Sequence, residues 1–118
     1  MSFSAAQPAP AVITLRRGTL RLSGGTYEQY FAGCHSVILL PREGHLLILP
    51  AASSGGGGSI LKVVNARGDR GVAAAELFRE LGVGEAWLEG DREACFEAHW
   101  SSEHAGLLIE DFYSREAR

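Results

Sequence analysis

The stretch that most constrains the fold is Leu61–Trp100, LKVVNARGDRGVAAAELFRELGVGEAWLEGDREACFEAHW. Its apolar spacing predicts a strand over Ile60–Val64, a polar turn over Asn65–Gly71 carrying Arg67, Asp69 and Arg70, and a short strand entered at Val72. A helix follows over Ala74–Leu81, with Leu77, Phe78 and Leu81 on one side and Gly82 or Gly84 as its stop. Ala86–Leu88 and Ala94–Ala98 then read as the strands of a β-hairpin around Glu89–Glu93.

A weaker copy of the same layout precedes it at Val12–Pro50. Val12–Leu15 runs into the turn Arg16-Arg17-Gly18, and Thr19–Leu22 alternates as a half-buried strand. Ser23 or Thr26 caps a short helix with Tyr27 and Phe31 on one face and Gly33 at its end. Val37–Leu40 and His45–Leu49 flank the four-residue turn Pro41–Gly44 as a hairpin. Displaced by 50 residues without a gap, Arg17-Gly18 falls on Arg67-Gly68, Leu22 on Val72, Val37-Ile38 on Trp87-Leu88 and Arg42-Glu43 on Arg92-Glu93. Identities are few, so the match lies in periodicity and element order. One such unit is too small to bury its own apolar face, whereas two related by a pseudo-twofold close a barrel-like core.

The expected organisation is a disordered arm over residues 1–11, a single domain over 12–100 made of pseudo-repeats 12–50 and 60–100, and a tail over 101–118 that packs on it. A Gly-rich loop at 51–59, with Gly55–Gly58, joins the repeats; a GGGGS string is also a common engineered linker. The fold class is mainly β with short helices (α+β): two tandem β-α-β-hairpin units forming a small swapped-hairpin core.

This plan resembles the AbrB/MraZ-like swapped-hairpin family. Ala75–Val83, AELFRELGV, looks like that family's helix and its stop; Gly68-Asp69-Arg70 looks like its turn; Leu46–Pro50 is similar to the end of a first MraZ hairpin. The tandem arrangement points to MraZ, which carries two units per chain. Asn65 stands where the family has an aspartate, and Ala73 or Ala74 where it has a proline. In the first unit Leu15, Thr19 and Ser23 replace aspartate, arginine and proline, and a glycine loop replaces the long helical connection. The resemblance implies a DNA-binding transcriptional regulator that forms a homo-oligomer.

Charge narrows the function. Fourteen acidic residues stand against ten arginines and one lysine, a net charge of −3, so no general basic field attracts nucleic acid. Contact with double-stranded DNA requires clustered arginines, and the candidates are Arg16, Arg17, Arg21, Arg67 and Arg70, all in the two turn regions. The alternative is that these are solvated surface charges paired with Asp69, Glu28 and their neighbours. The chain is then a non-enzymatic protein–protein interaction or assembly module that keeps the fold without DNA contact.

No catalytic residues, metal ligands or cofactor are assigned. Cys34-His35 and the Cys95, His99, His104 series lack the paired spacing of a structural zinc site. The cysteines read as buried structural residues, and no orienting third group supports a Cys-His nucleophile. Gly55–Gly58 lacks the Lys-Ser/Thr of a phosphate loop. Glu85, Glu89, Asp91 and Glu93 read as a solvated acidic hairpin, and Trp87 and Trp100 as core or interface anchors. The N-terminus has no basic region or apolar core, and no apolar run approaches the roughly 20 residues of a membrane helix. A cytoplasmic protein with reduced thiols is the expectation.

Overall fold

The computed structural model describes residues 10–51 and 58–112. The expected N-terminal arm up to residue 9, most of the glycine loop and the tail beyond Phe112 lie outside the described residues. Twelve elements follow in chain order: strands β1 (Ala11–Arg16) and β2 (Thr19–Leu22), helix α1 (Gly24–Tyr30), β3 (Ser36–Arg42), β4 (His45–Pro50), β5 (Ser59–Ile60), β6 (Lys62–Val63), β7 (Arg70–Ala73), α2 (Ala75–Glu80), α3 (Glu85–Leu88), β8 (Glu93–Ser101) and β9 (Gly106–Ile109).

The fold is mainly β. All strands belong to one antiparallel sheet in the order β5-β3-β4-β9-β8-β1-β2-β7-β6. Its two ends, β5 and β6, are one run of chain broken only at Leu61. Ser59 and Ile60 pair with β3, while Lys62 and Val63 pair with β7, so the sheet curls into a nearly closed barrel. Closure removes most of the open edge that an isolated sheet exposes. Where it is incomplete, a cleft of about 630 Å³ opens between β3 and α2, lined by Ile38, Leu39, Ala73, Ala74, Glu76 and Leu77 among others.

Alternation fills the barrel. Ile13 and Leu15 of β1, Leu20 and Leu22 of β2, Leu46 and Ile48 of β4 and Leu107 of β9 point inward with no exposed surface. Phe31, at the end of α1, and Phe78 of α2 plug the interior, and Phe112 packs on both Phe78 and Phe96. The tail therefore contributes a strand and a core aromatic.

Local chemistry explains the joints. β1 and β2 meet in a two-residue turn with both central residues at positive φ (Arg17, 52°; Gly18, 73°), the geometry that matches strand twist. β3 and β4 meet the same way at Glu43 (55°) and Gly44 (87°). That hairpin turn is thus two residues long, not the four expected, because Pro41 and Arg42 remain in register with Leu46 and His45. Ser23 caps α1, its Oγ accepting the Thr26 N–H at 3.1 Å. α2 ends on Gly82 (φ 91°), whose N–H bonds the Arg79 carbonyl while the Val83 N–H reaches the Phe78 carbonyl, satisfying two terminal carbonyls.

Two turns seal the starts of distant helices. The Gly18 carbonyl accepts the Ala74 N–H at 2.8 Å ahead of α2, and the Asp69 carboxylate accepts the Gly24 N–H at 2.9 Å at the start of α1.

Two expectations fail here. Ala86–Leu88 is not a strand: Glu85–Leu88 forms α3, bracketed by Gly84 and Gly90, with Leu88 buried. Ala, Leu and Glu favour the helical turn, and nearby strands already have partners. Glu89–Glu93 is consequently no hairpin loop, since β8 begins at Glu93 and pairs with β1 and β9. The ungapped 50-residue correspondence ends at α2, because α3 sits where its first-half counterpart would begin β3.

Candidate interaction faces

The arginine turns are largely occupied within the chain. Arg17 bonds Asp91 through Nε at 3.1 Å and Nη2 at 2.5 Å, and Arg16 stands 3.6 Å from the same carboxylate. The Arg17 hydrogen bonds, then the charges of Arg17 and Arg16, hold the Asp91 carboxyl below its ordinary range. Arg16 also faces Glu93 across the β1–β8 register. Arg67 bonds Asp69 at 3.1 Å.

Asp69 is the hub of its turn. The Asn65 side-chain amide, the Gly24 N–H and Arg67 all donate to its carboxylate, lowering it from 3.8 to about 2. Arg70 lies over the Tyr27 ring at 3.8 Å and donates to the Gly68 carbonyl, so it braces the turn.

The two turns do not converge. Thr19 pairs with Ala73 and Leu22 with Arg70, which sets Arg17-Gly18 and Arg67-Gly68 at opposite ends of the β2–β7 ladder. Arg16, Arg17 and Arg21 do gather around one shallow hollow with Thr14, Thr19, Val64 and Glu93. Among the described residues Arg21 makes no ion pair.

The remaining polar residues make local contacts. Cys34 is half-buried, its carbonyl bonded by the Tyr27 hydroxyl, and Cys95 is exposed; both are free thiols. His45 Nδ1 accepts the Asp111 N–H at 3.0 Å, and His104 Nδ1 lies 3.0 Å from the Ser101 hydroxyl. Among the described residues no group of three or more His, Cys, Asp or Glu side chains is arranged to hold a metal ion. Glu85 and Glu89 of the supposed acidic hairpin bind Arg79, and Trp87 carries Arg92 over its ring at 4.7 Å. Trp100 stacks on Tyr30, with centroids 5.1 Å apart.

The unusual surface lies elsewhere, on the outside of β3, β4 and β9. Val37, Leu46, Ile48, Leu107 and Ile109 point inward, so alternation turns Ile38, Leu40, Leu47, Leu49 and Leu108 outward. Register arranges these in rows across the three strands. Leu40 stands opposite Leu47 and Leu47 opposite Leu108; Ile38 stands opposite Leu49, beside Gly106. Ile38 is 43% and Leu40 37% exposed, whereas Leu47, at the centre, is 2% exposed. The outer face of β8 and β1 bears Glu93, Cys95, Glu97, His99, Thr14 and Arg16 instead, with Val12 as its one exposed aliphatic side chain among the described residues.

The five turn arginines do not mark this face. Its signal is in the sequence: Val37–Leu40 and Leu46–Leu49 are unbroken apolar runs, where a strand wet on one side alternates.

No helix among the described residues is long and apolar enough to cross a membrane. Comparison with the models of known families, with curated proteins and with solved structures finds no match.

Proposed function

We infer that this chain is a non-enzymatic interaction or assembly module, working through the outer face of β3, β4 and β9. The observation that carries this reading is the row structure of that face: Ile38, Leu40, Leu47, Leu49 and Leu108 adjoin through cross-strand register on the water side of a barrel. Soluble monomers seldom leave such contiguous aliphatic surface unused, because covering it returns roughly 25 cal/mol for each Å² removed from water. The barrel itself fits two tandem hairpin–helix–hairpin units of the AbrB/MraZ-like kind. Gly18 abuts Ala75 while Gly24 abuts the Arg67–Gly68 backbone, a reciprocal contact expected of a pseudo-twofold. The pairings β2–β7 and β4–β9 join like positions of the two units.

The test is native mass spectrometry of the chain isolated from its own cells, beside the Leu40→Glu variant. The wild type is expected in a discrete protein complex without nucleic acid, and the variant out of it. A wild type found alone, or a complex indifferent to Leu40→Glu, overturns the reading.

A second reading, contact with duplex DNA, rests on the hollow that Arg16, Arg17 and Arg21 share. It requires binding that falls steeply with salt, with log K dropping by about 0.9 per phosphate contact for each unit of log salt. Arg21→Ala is the informative variant, because Arg21 has no competing carboxylate in an ion pair. Retention that ignores salt, or none at low salt, ends this reading.

A further inference from the structure

The geometry points to a second copy of this chain as the occupant of the β3–β4–β9 face, docked sheet on sheet about a twofold axis running along β4. This inference rests on the interaction-module reading and adds the identity of the partner.

Charge is distributed unequally across the two flanks of β4. Past Leu40, the next outward residue on β3 is Arg42, and past Leu108 the next on β9 is Glu110. Arg42 pairs with His45. The β4–β9 register Leu46↔Ile109, continued by one residue, brings Glu110 level with His45. The row Arg42–His45–Glu110 therefore carries its cation on one flank of β4 and its anion on the other. Neither Arg42 nor Glu110 has an ion-pair partner among the described residues.

A twofold along β4 exchanges the flanks while keeping the rows level. Arg42 of one copy then meets Glu110 of the other, twice per dimer, and Leu40 meets Leu108. In the next row Ile38 meets Gly106, over which Leu49 leans with its Cδ2 2.5 Å from where a Cβ would stand. An axis across the strands instead sets β9 over β9, bringing Glu103 in the β8–β9 turn toward Glu110, which is repulsive. The face is thus self-complementary in one orientation, as an isologous interface must be. Aligned packing of two sheets is the ordinary outcome for apolar faces of this kind.

Sedimentation equilibrium over a dilution series tests the proposal with four chains: wild type, Leu40→Glu, Arg42→Glu, and the double exchange Arg42→Glu/Glu110→Arg. All three substituted positions are on the surface, and circular dichroism confirms that each variant folds. The wild type is expected to dimerise, Leu40→Glu to remain monomeric, and Arg42→Glu to dimerise about tenfold or more weakly, since it sets like charges together twice. The double exchange recovers most of the lost affinity. A wild type that is monomeric at about 100 µM overturns the second copy as occupant. So does a double exchange no stronger than Arg42→Glu alone. If the wild type is monomeric yet Leu40→Glu abolishes a complex with a different protein, the interaction-module reading survives without this inference. If Leu40→Glu changes no association, both fall together.

Discussion

Asp69 concentrates more hydrogen bonds than any other carboxylate in the described residues, and all of them favour its ionised form. The Asn65 amide, the Gly24 N–H and Arg67 bring it to about 2 from an ordinary 3.8. A carboxyl whose value is lower in the folded chain stabilises the fold fully above about 3.8, and that contribution is lost as the pH falls through about 2. A carboxyl-carbon NMR titration is expected to show the Asp69 midpoint near 2, whereas a midpoint near 3.8 contradicts the hydrogen-bond set. Asp69→Ala should also lower the melting temperature, because the Gly24 N–H at the start of α1 loses its acceptor. In the interior the decisive residue is Phe112, fully buried between Phe78 and Phe96. Phe112→Ala is expected to destabilise the chain by about 3–5 kcal/mol in denaturant unfolding, the cost of lost burial plus a cavity.

Among the elements, the turns that meet helices set the tolerance to change. A Cβ at Gly18 falls 2.5 Å from the Ala75 Cβ at a φ of 73°, so both strain and contact oppose a side chain. Gly18→Ala should cost about 1–3 kcal/mol. Gly25, inside α1, meets nothing closer than the Ser23 Oγ at 3.9 Å, so Gly25→Ala is expected to stabilise by up to about 1 kcal/mol. Equal effects at the two glycines, measured by thermal unfolding, contradict the packing of that turn.

Much at this scale was legible from residue pattern. Leu20 and Leu22, alternating with Thr19 and Arg21, read as a one-sided strand, and the AELFRELGV run as a helix with Gly82 or Gly84 as its stop, of which the structure uses Gly82. What escaped was set by partners distant in sequence. Ala86–Leu88 has an apolar pattern too short to distinguish a strand from a helical turn, and only the prior pairing of β8 with β1 and β9 leaves it without a sheet position. The role of Gly106–Ile109 was open for the same reason, since its strand exists by virtue of β4 on one side and β8 on the other.

At the scale of the whole molecule the barrel presents unlike outer faces, one largely aliphatic and one largely polar. The arginine residues were readable as a list, and Asp69 as a partner for the second turn, but Asp91 was not. Asp91 lies 74 residues from Arg17, and the β2–β7 register that separates the two turns is a tertiary fact. The aliphatic face was written openly in two non-alternating runs, yet its meaning depends on which side of the barrel is wet. Pro41 shows how the remaining open edge is guarded. The Ser36 carbonyl is bonded by Ala51 on the β4 side and the His35 carbonyl by Leu61 on the β5 side. Alternation then sends the backbone groups of Leu39 and Pro41 to the unclosed edge, where proline has no N–H to offer. Association through the outer face, rather than by strand addition at the seam, follows from that guard. Pro41→Val is accordingly expected to raise the aggregation rate on prolonged incubation, read by light scattering, without altering the dimer affinity.

The most direct measurement of the central claim uses the five isoleucine methyls as probes of solvent contact. Ile13, Ile48 and Ile109 are buried, Ile38 lies on the aliphatic face at 43% exposure, and Ile60, opposite Ser36 on β5, lies beyond the β3 edge of that face at 64%. In methyl NMR with a soluble paramagnetic agent, raising the protein concentration should protect the Ile38 signal until it behaves like the buried three, while Ile60 stays strongly broadened. Ile38 and Ile60 broadening alike at every concentration would contradict the account.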